Sequence, residues 1–194
     1  MKNRLLTLIL ISAFALHFAV AEAAQTKTLK LTEKNIDKIV AAMTLEEKAN
    51  IVVGMSRSLT DAETANIGYT KKIVPGAAGT TYPIPRLGVT PMVFADGPAG
   101  VRISTTRKGV DRKFYCTGFP VGTLLSSTWT DALVETVGNA LGEEAKEYGV
   151  DVLLAPGLNI MRNPLCGRNF EYYSEDPLLT GKIAAAYVRG VQSE

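Results

Sequence analysis

Asp96, Arg102 and Arg168 stand out in this 194-residue chain because their types and settings could hold a polar ligand. Asp96 closes the apolar run Pro91-Met-Val-Phe-Ala95, and Gly97 and Pro98 shape the turn behind it. A carboxylate at the carboxyl end of a strand is where α/β barrels and open sheets place ligand contacts; the same group could instead cap the turn. Arg102, six residues on, is close enough for the loop to fold its guanidinium toward the same mouth, or it is a solvated surface charge. Gly97-Pro-Ala-Gly100 lacks the Lys and Ser/Thr of a P-loop and the third Gly of a dinucleotide fingerprint, which argues against a phosphate cradle.

The stretch Asn163-Pro-Leu-Cys-Gly-Arg-Asn-Phe-Glu-Tyr-Tyr-Ser-Glu-Asp-Pro177 sets an arginine among three acids and three aromatics. Its prolines and glycine rule out one continuous helix or a central strand, so these side chains ride on a shaped loop. Arg168 offers a rigid planar fork of donors that could bridge two neighbouring hydroxyls or a carboxylate. It could equally form a structural ion pair with Glu171, Glu175 or Asp176. Glu171 is the nearest carboxylate and the one best placed to orient it. Phe170, Tyr172, Tyr173 and Trp129 could offer apolar platforms to the C–H faces of a sugar, or pack as core. The only histidine, His17, lies in an amino-terminal apolar segment, so neither a Cys/His metal set nor a Ser/His/Asp triad is expected, and no cofactor is implied.

The elements that must position these residues follow from pattern. Lys2 and Arg4 precede an apolar run from Leu5 to Ala21, followed by small residues, which reads as a secretory signal peptide over 1–24. Its removal leaves one domain over 25–194, roughly 170 residues, enough for a sizeable core. The exported product is expected in the periplasm or the medium, without membrane attachment after cleavage. A net charge of +2 with scattered Lys and Arg leaves no nucleic-acid footprint. Export permits Cys116 and Cys166 to pair, and the sequence leaves that open.

Thr44-Leu-Glu-Glu47 is a capping box for a helix from Leu45 to about Val53 that stops near Gly54. A shorter helix behind Thr32 should turn Ile36, Ile39 and Val40 to one face. Residues 56–85 read as a long irregular connection. Strands are expected at Pro91–Ala95, Phe119–Leu125 and Val150–Ala155, the last buried on both faces. Helices are expected over Thr130–Tyr148, closed by Gly149, and from Asp176 as N-cap, with Leu178, Leu179, Ile183, Tyr187, Val188 and Val191 on one stripe. The order is that of an α/β fold with parallel strands. The last helix reads as still running at Glu194, which suggests an incomplete domain.

Four segments resemble the amino-terminal part of glycoside hydrolase family 3, the β-glucosidase family: MTLEEK, FADGPAGVR, FPVGTLL and above all NPLCGRNFEYYSEDPLLTGKIAAAYVRGVQ. The resemblance extends from about Leu31 to Glu194. It implies the amino-terminal portion of a TIM-type (β/α)8 barrel and a retaining, exo-acting hydrolase of terminal β-linked sugars, most often β-D-glucose. It also implies that Asp96, Arg102 and Arg168 hold the sugar by its hydroxyls, with Glu171 and Tyr172 supporting Arg168. Retention requires two carboxyl groups about 5 to 5.5 Å apart; by the resemblance both lie beyond position 194, so this chain alone should be inactive. The alternative is a non-catalytic sugar-binding protein derived from the same barrel.

Overall fold

The computed structural model describes residues 29–55 and 73–194. The expected signal peptide, and residues 56–72 of the expected irregular connection, lie outside the described residues. By contact the chain divides into two units, Met1–Lys48 with Pro83–Thr90 and Ala49–Tyr82 with Pro91–Glu194.

In the first unit, α1 spans Ile36–Ala42. It starts at Asn35, whose side-chain oxygen accepts from the Thr32 N–H (2.8 Å) while its amide donates to the Lys30 carbonyl (2.8 Å). Of the expected apolar face only Ile39 is buried; Ile36 and Val40 are exposed. The capping box forms as read. The Glu47 N–H donates to the Thr44 hydroxyl (3.1 Å), and the Thr44 N–H donates to the Glu47 carboxylate (2.9 Å). It opens α2, Leu45–Val53, whose residues from Ala49 onward belong to the second unit. Arg86, in the 3-10 turn Pro85–Leu87, donates to the same Glu47 carboxylate and to the Ala42 carbonyl (2.9 Å). The hydrogen bond from Arg86, then that from the Thr44 N–H, draws the Glu47 carboxyl down to about 2.

The second unit holds a three-stranded sheet of β1 (Gly79–Thr80), β2 (Val93–Asp96) and β3 (Val152–Leu154), in that order. β2 and β3 are parallel, with Ala95 opposite Leu153 and Asp96 opposite Leu154. β1 is antiparallel to β2, which departs from the all-parallel expectation. At two residues β1 is too short to carry a period-2 pattern, and main-chain bonds from Ala78 N–H to Phe94 O (2.7 Å) and Thr81 N–H to Met92 O (3.0 Å) define its pairing.

Phe119–Leu125 is not a strand. Val121 is extended and caps the short helix α3, Gly122–Ser126. The adjacent Leu124 and Leu125 explain the misreading: a doubly buried strand would use both, whereas α3 buries Leu125 and leaves Leu124 in solvent. Nor is β3 buried on both faces, since Leu154 is 45% exposed and β3 is an edge among the described strands.

α4 spans Asp131–Glu147 and carries the crossover from β2 to β3, closing at Gly149 with φ of +79°. α5 spans Pro177–Gln192, with the Asp176 carboxylate accepting from the Leu178 N–H (2.8 Å). It ends before Glu194: Ser193 caps it, donating through Oγ to the Gly190 carbonyl (2.7 Å). Val134, Leu141 and Ala145 of α4 meet Ile183, Ala186 and Tyr187 of α5 in the core, joined by Ala95 of β2 and Leu125 of α3. Leu178, assigned to the apolar stripe, is exposed, while Thr180, Ala184 and Gly190 are buried in its place. Backbone proximity sets this face: a Cβ on Gly138 would stand 2.5 Å from the Tyr187 carbonyl oxygen, and one on Gly190 2.1 Å from that of Glu135. Cys116 and Cys166 are both free thiols. Among the described residues no helix is long and apolar enough to cross a membrane.

Candidate functional site

β2 and β3 end side by side at Asp96 and Leu154, and an open cleft of about 690 Å³ lies beyond these carboxyl ends. That volume is in the range of small-molecule sites. Asp96, Arg102, Arg168 and Glu171 all line it, together with Phe170 and Cys116.

The first wall is the turn after β2. Arg102 folds back because its N–H donates to the Asp96 carbonyl (2.8 Å). The turn is tight enough that a Cβ on Gly97 would stand 2.4 Å from the Gly100 carbonyl oxygen. Gly100 has φ of +132°, and a Cβ there would meet the Thr117 carbonyl oxygen at 2.2 Å. Both glycines are therefore required by space, the second also by conformation. The Phe119 N–H donates to the Ala99 carbonyl (2.9 Å), tying the turn to the run Cys116–Phe119. From below, the buried Tyr187 hydroxyl points to the Pro98 carbonyl at 3.5 Å. Across the turn the Arg102 guanidinium lies 3.9 Å from the Asp96 carboxylate, and both side chains remain open to solvent.

The second wall is the loop 163–176. Asn163 shapes it: its side-chain oxygen accepts from the Leu165 N–H (2.9 Å), and its carbonyl accepts from the Cys166 N–H (3.0 Å) and the Asn169 amide (2.8 Å). Arg168 then caps the 3-10 turn Asn169–Glu171. Its Nε–H donates to the Glu171 carboxylate, and its guanidinium carbon lies 5.8 Å from the Tyr172 ring centre, within cation–π range. The Glu171 hydrogen bond is the first cause raising the Arg168 pKa, so the fork stays charged. Helix α3 holds this loop in place: Thr123 Oγ1 donates to the Tyr172 carbonyl (2.8 Å), Ser126 Oγ to that of Tyr173. A Cβ on Gly122 would come within 2.8 Å of the Glu171 carbonyl oxygen.

Arg168 is thus ion-paired to Glu171, one of the partners expected for a structural pair, and it also lines the cleft. Two arginines and two carboxylates give a balanced set of donors and acceptors, which suits a neutral polyhydroxyl ligand better than an isolated anion. Of the possible platforms, Phe170 reaches the cleft and is exposed there. Tyr172 is buried beneath Arg168, Tyr173 belongs to the core, and Trp129 is 75% exposed outside the cleft lining. Cys116–Gly118 and the Pro156–Gly157 segment complete the wall. Sequence reasoning did not single these out, because small and weakly polar side chains carry no signal until the fold brings them to a charged partner. Among the described residues no group of His, Cys, Asp and Glu is arranged to hold a metal ion.

Residues 98–194 match the glycosyl hydrolase family 3 N terminal domain. The thermostable beta-glucosidase B of Acetivibrio thermocellus is 40% identical over 163 residues, covering 82% of this chain and 19% of that protein. A beta-glucosidase of Bacteroides ovatus is 33% identical over 201 residues, covering 99% of this chain and 24% of that one. The solved structure of beta-glucosidase 3B from Thermotoga neapolitana, in complex with alpha-D-glucose, matches with a TM-score of 0.72 and 51% identity over 82% of this chain and 22% of that one. The chain thus spans about a fifth of the length of the curated relatives it matches.

Proposed function

This chain belongs to glycosyl hydrolase family 3, and from that premise we propose that Asp96, Arg102 and Arg168 grip a terminal, non-reducing β-D-glucosyl residue through its hydroxyls. The observation that carries this reading is that all three line one cleft at the carboxyl ends of a parallel strand pair. Arg168 donates in a planar fork to two neighbouring hydroxyls, Asp96 accepts from hydroxyls, and Glu171 keeps the fork aimed. Such charge-assisted contacts contribute about 1.5–3 kcal/mol each, and those that strengthen as the ring flattens toward the oxocarbenium ion lower the barrier.

In this reading β2 and β3 are neighbouring staves of a TIM-type barrel, and the protein acts as part of an exported, retaining, exo-acting β-glucosidase whose signal peptide is residues 1–24. The glucose complex of the Thermotoga neapolitana relative supports the choice of sugar. Nucleophile and acid/base are assigned to sequence outside these 194 residues, because Asp96 is committed to the substrate hydroxyls and no other residue here matches either role. The 194-residue chain should therefore bind glucose without hydrolysing an aryl β-glucoside. Ligand-observed NMR with glucose tests the first half: binding that disappears in Arg168→Ala is expected, and equal binding by parent and variant would overturn the site. Turnover of the aryl glucoside by the purified chain would overturn the assignment of the carboxylates.

A further inference from the structure

Between Arg102 and Cys116 the chain makes a long excursion and returns; the Phe119 N–H to Ala99 carbonyl bond (2.9 Å) ties the returning run to the turn, and further contacts hold that run to the core. The contacts run back to α4. Glu144 lies between the buried Leu141 and Ala145 on that helix, and α4 is held against α5 at backbone distance. Its root is therefore fixed by the core. Its carboxylate accepts from the Thr117 N–H through both oxygens (3.0 and 3.1 Å) and from the Thr117 hydroxyl (3.0 Å). Thr117 in turn sets its carbonyl oxygen where a Cβ on Gly100 would be 2.2 Å away. Gly100 is two residues before Arg102, in the turn closed by the Arg102 N–H to Asp96 carbonyl bond. The Glu144 carboxylate thus links the core helix to Thr117, and the Thr117 carbonyl closes on Gly100 in the turn that carries Arg102.

We propose that Glu144 is a positioning residue for the cleft: anchored on α4, it presses Thr117 against the Gly97–Arg102 turn and so determines where the Arg102 guanidinium stands. A carboxylate suits the task because three donor contacts converge on one side chain, and hydrogen bonds to a charged acceptor are stronger than neutral ones. The effect on sugar binding rests on the glucose-site reading; the effect on the turn does not.

Amide hydrogen exchange of the full 194-residue chain, read without sugar, tests the proposal, and glucose titration follows on the same samples. In Glu144→Ala the Arg102 and Phe119 amides should exchange about tenfold faster while Tyr187 in α5 keeps its rate, a local rather than global opening. Glu144→Gln, which keeps an acceptor oxygen for the Thr117 N–H, should restore most of the protection. Glucose affinity should fall about tenfold in the alanine variant and by about threefold or less in the glutamine variant. Unchanged Arg102 exchange in Glu144→Ala, or a rise shared equally by Tyr187, overturns the proposal. Should Glu144→Ala not fold, Thr117→Val decides: it removes only the hydroxyl, and about a threefold rise confined to the turn is expected, with no rise overturning the proposal. If the parent chain binds no glucose while the exchange pattern holds, the sugar assignment fails and the positioning role stands.

Discussion

Arg168 and Arg102 line the same cleft, yet Arg168 is bonded to a carboxylate only 12% exposed, whereas Arg102 is 81% exposed and stands 3.9 Å from Asp96. The first is fixed through its side chain, by a partner three residues away and a ring beneath it. The second is fixed through its backbone, by two glycines that let the turn close. A guanidinium already held in place loses less conformational freedom when it grips a ligand. In the proposed site Arg168 is thus expected to be the anchor, and Arg102 the more adaptable arm.

The strongest way to break this comparison is to remove each arginine in turn. Arg168→Ala should weaken glucose binding by about 3 kcal/mol, roughly a hundredfold, since a bidentate charged contact is lost. Arg102→Ala should cost about 1.4 kcal/mol, roughly tenfold. Equal losses, measured by titration of the two variants side by side, would contradict the ranking.

The glycines that support each arm give the next effect. Gly122→Ala places a Cβ against the Glu171 carbonyl and should destabilise the fold by about 1–3 kcal/mol while displacing Arg168. Gly100→Ala meets both a carbonyl and a left-handed backbone, so its loss of denaturant midpoint should exceed that of Gly122→Ala. A Gly100→Ala protein as stable as the parent would show that the turn is held by something else.

Glu171→Gln keeps the shape of the Arg168 support and removes its charge. Glucose affinity should fall about fivefold, about 1 kcal/mol, and unchanged affinity would mean that shape alone aims the fork.

The smallest effect belongs to an ion pair in the other unit, which serves as a control. The Glu47 carboxyl sits at about 2 rather than its ordinary 4.5, so the unfolded chain takes up that proton first. The stability it adds is complete above about pH 4.5 and is lost as the pH falls through about 2. Denaturant midpoints across that window should show a shallow slope that is reduced in Glu47→Gln and weakened by salt, since the pair is solvent-screened. Glucose binding at neutral pH should be untouched by this substitution.

Much of the positioning frame was legible where a local rule decides the outcome. The capping box at Thr44, the Asp176 cap with Pro177 behind it and the Gly149 stop each act within one helical turn, so the residues on hand determine them. The ion pair of Arg168 with Glu171 belongs to the same class, being three residues apart. What could not be read is set by partners distant in the chain. Helix α3 looked like a strand because Phe119 to Leu125 carries apolar residues without a clear period, and its fate depends on the loop at Tyr172 and Tyr173 that it clasps. The buried face of α5 was mistaken at Leu178 because glycines, invisible to an apolar pattern, decide which side approaches α4. Glu144 gave no signal at all: on sequence it is one more acid on an amphipathic helix, and only the approach of Thr117, 27 residues earlier in the chain, gives it a task.

The claim that three charged side chains, two from the turn after β2 and one from the loop 163–176, act together on one sugar is tested most directly by following the arginine Nε–H resonances of the 194-residue chain during a glucose titration. Arg102 and Arg168 signals that shift together along one saturation curve, with the Arg102 signal no longer responding in the Asp96→Asn, Arg168→Ala double variant, are the predicted result. Shifts confined to one arginine, or two curves with different midpoints, would contradict it.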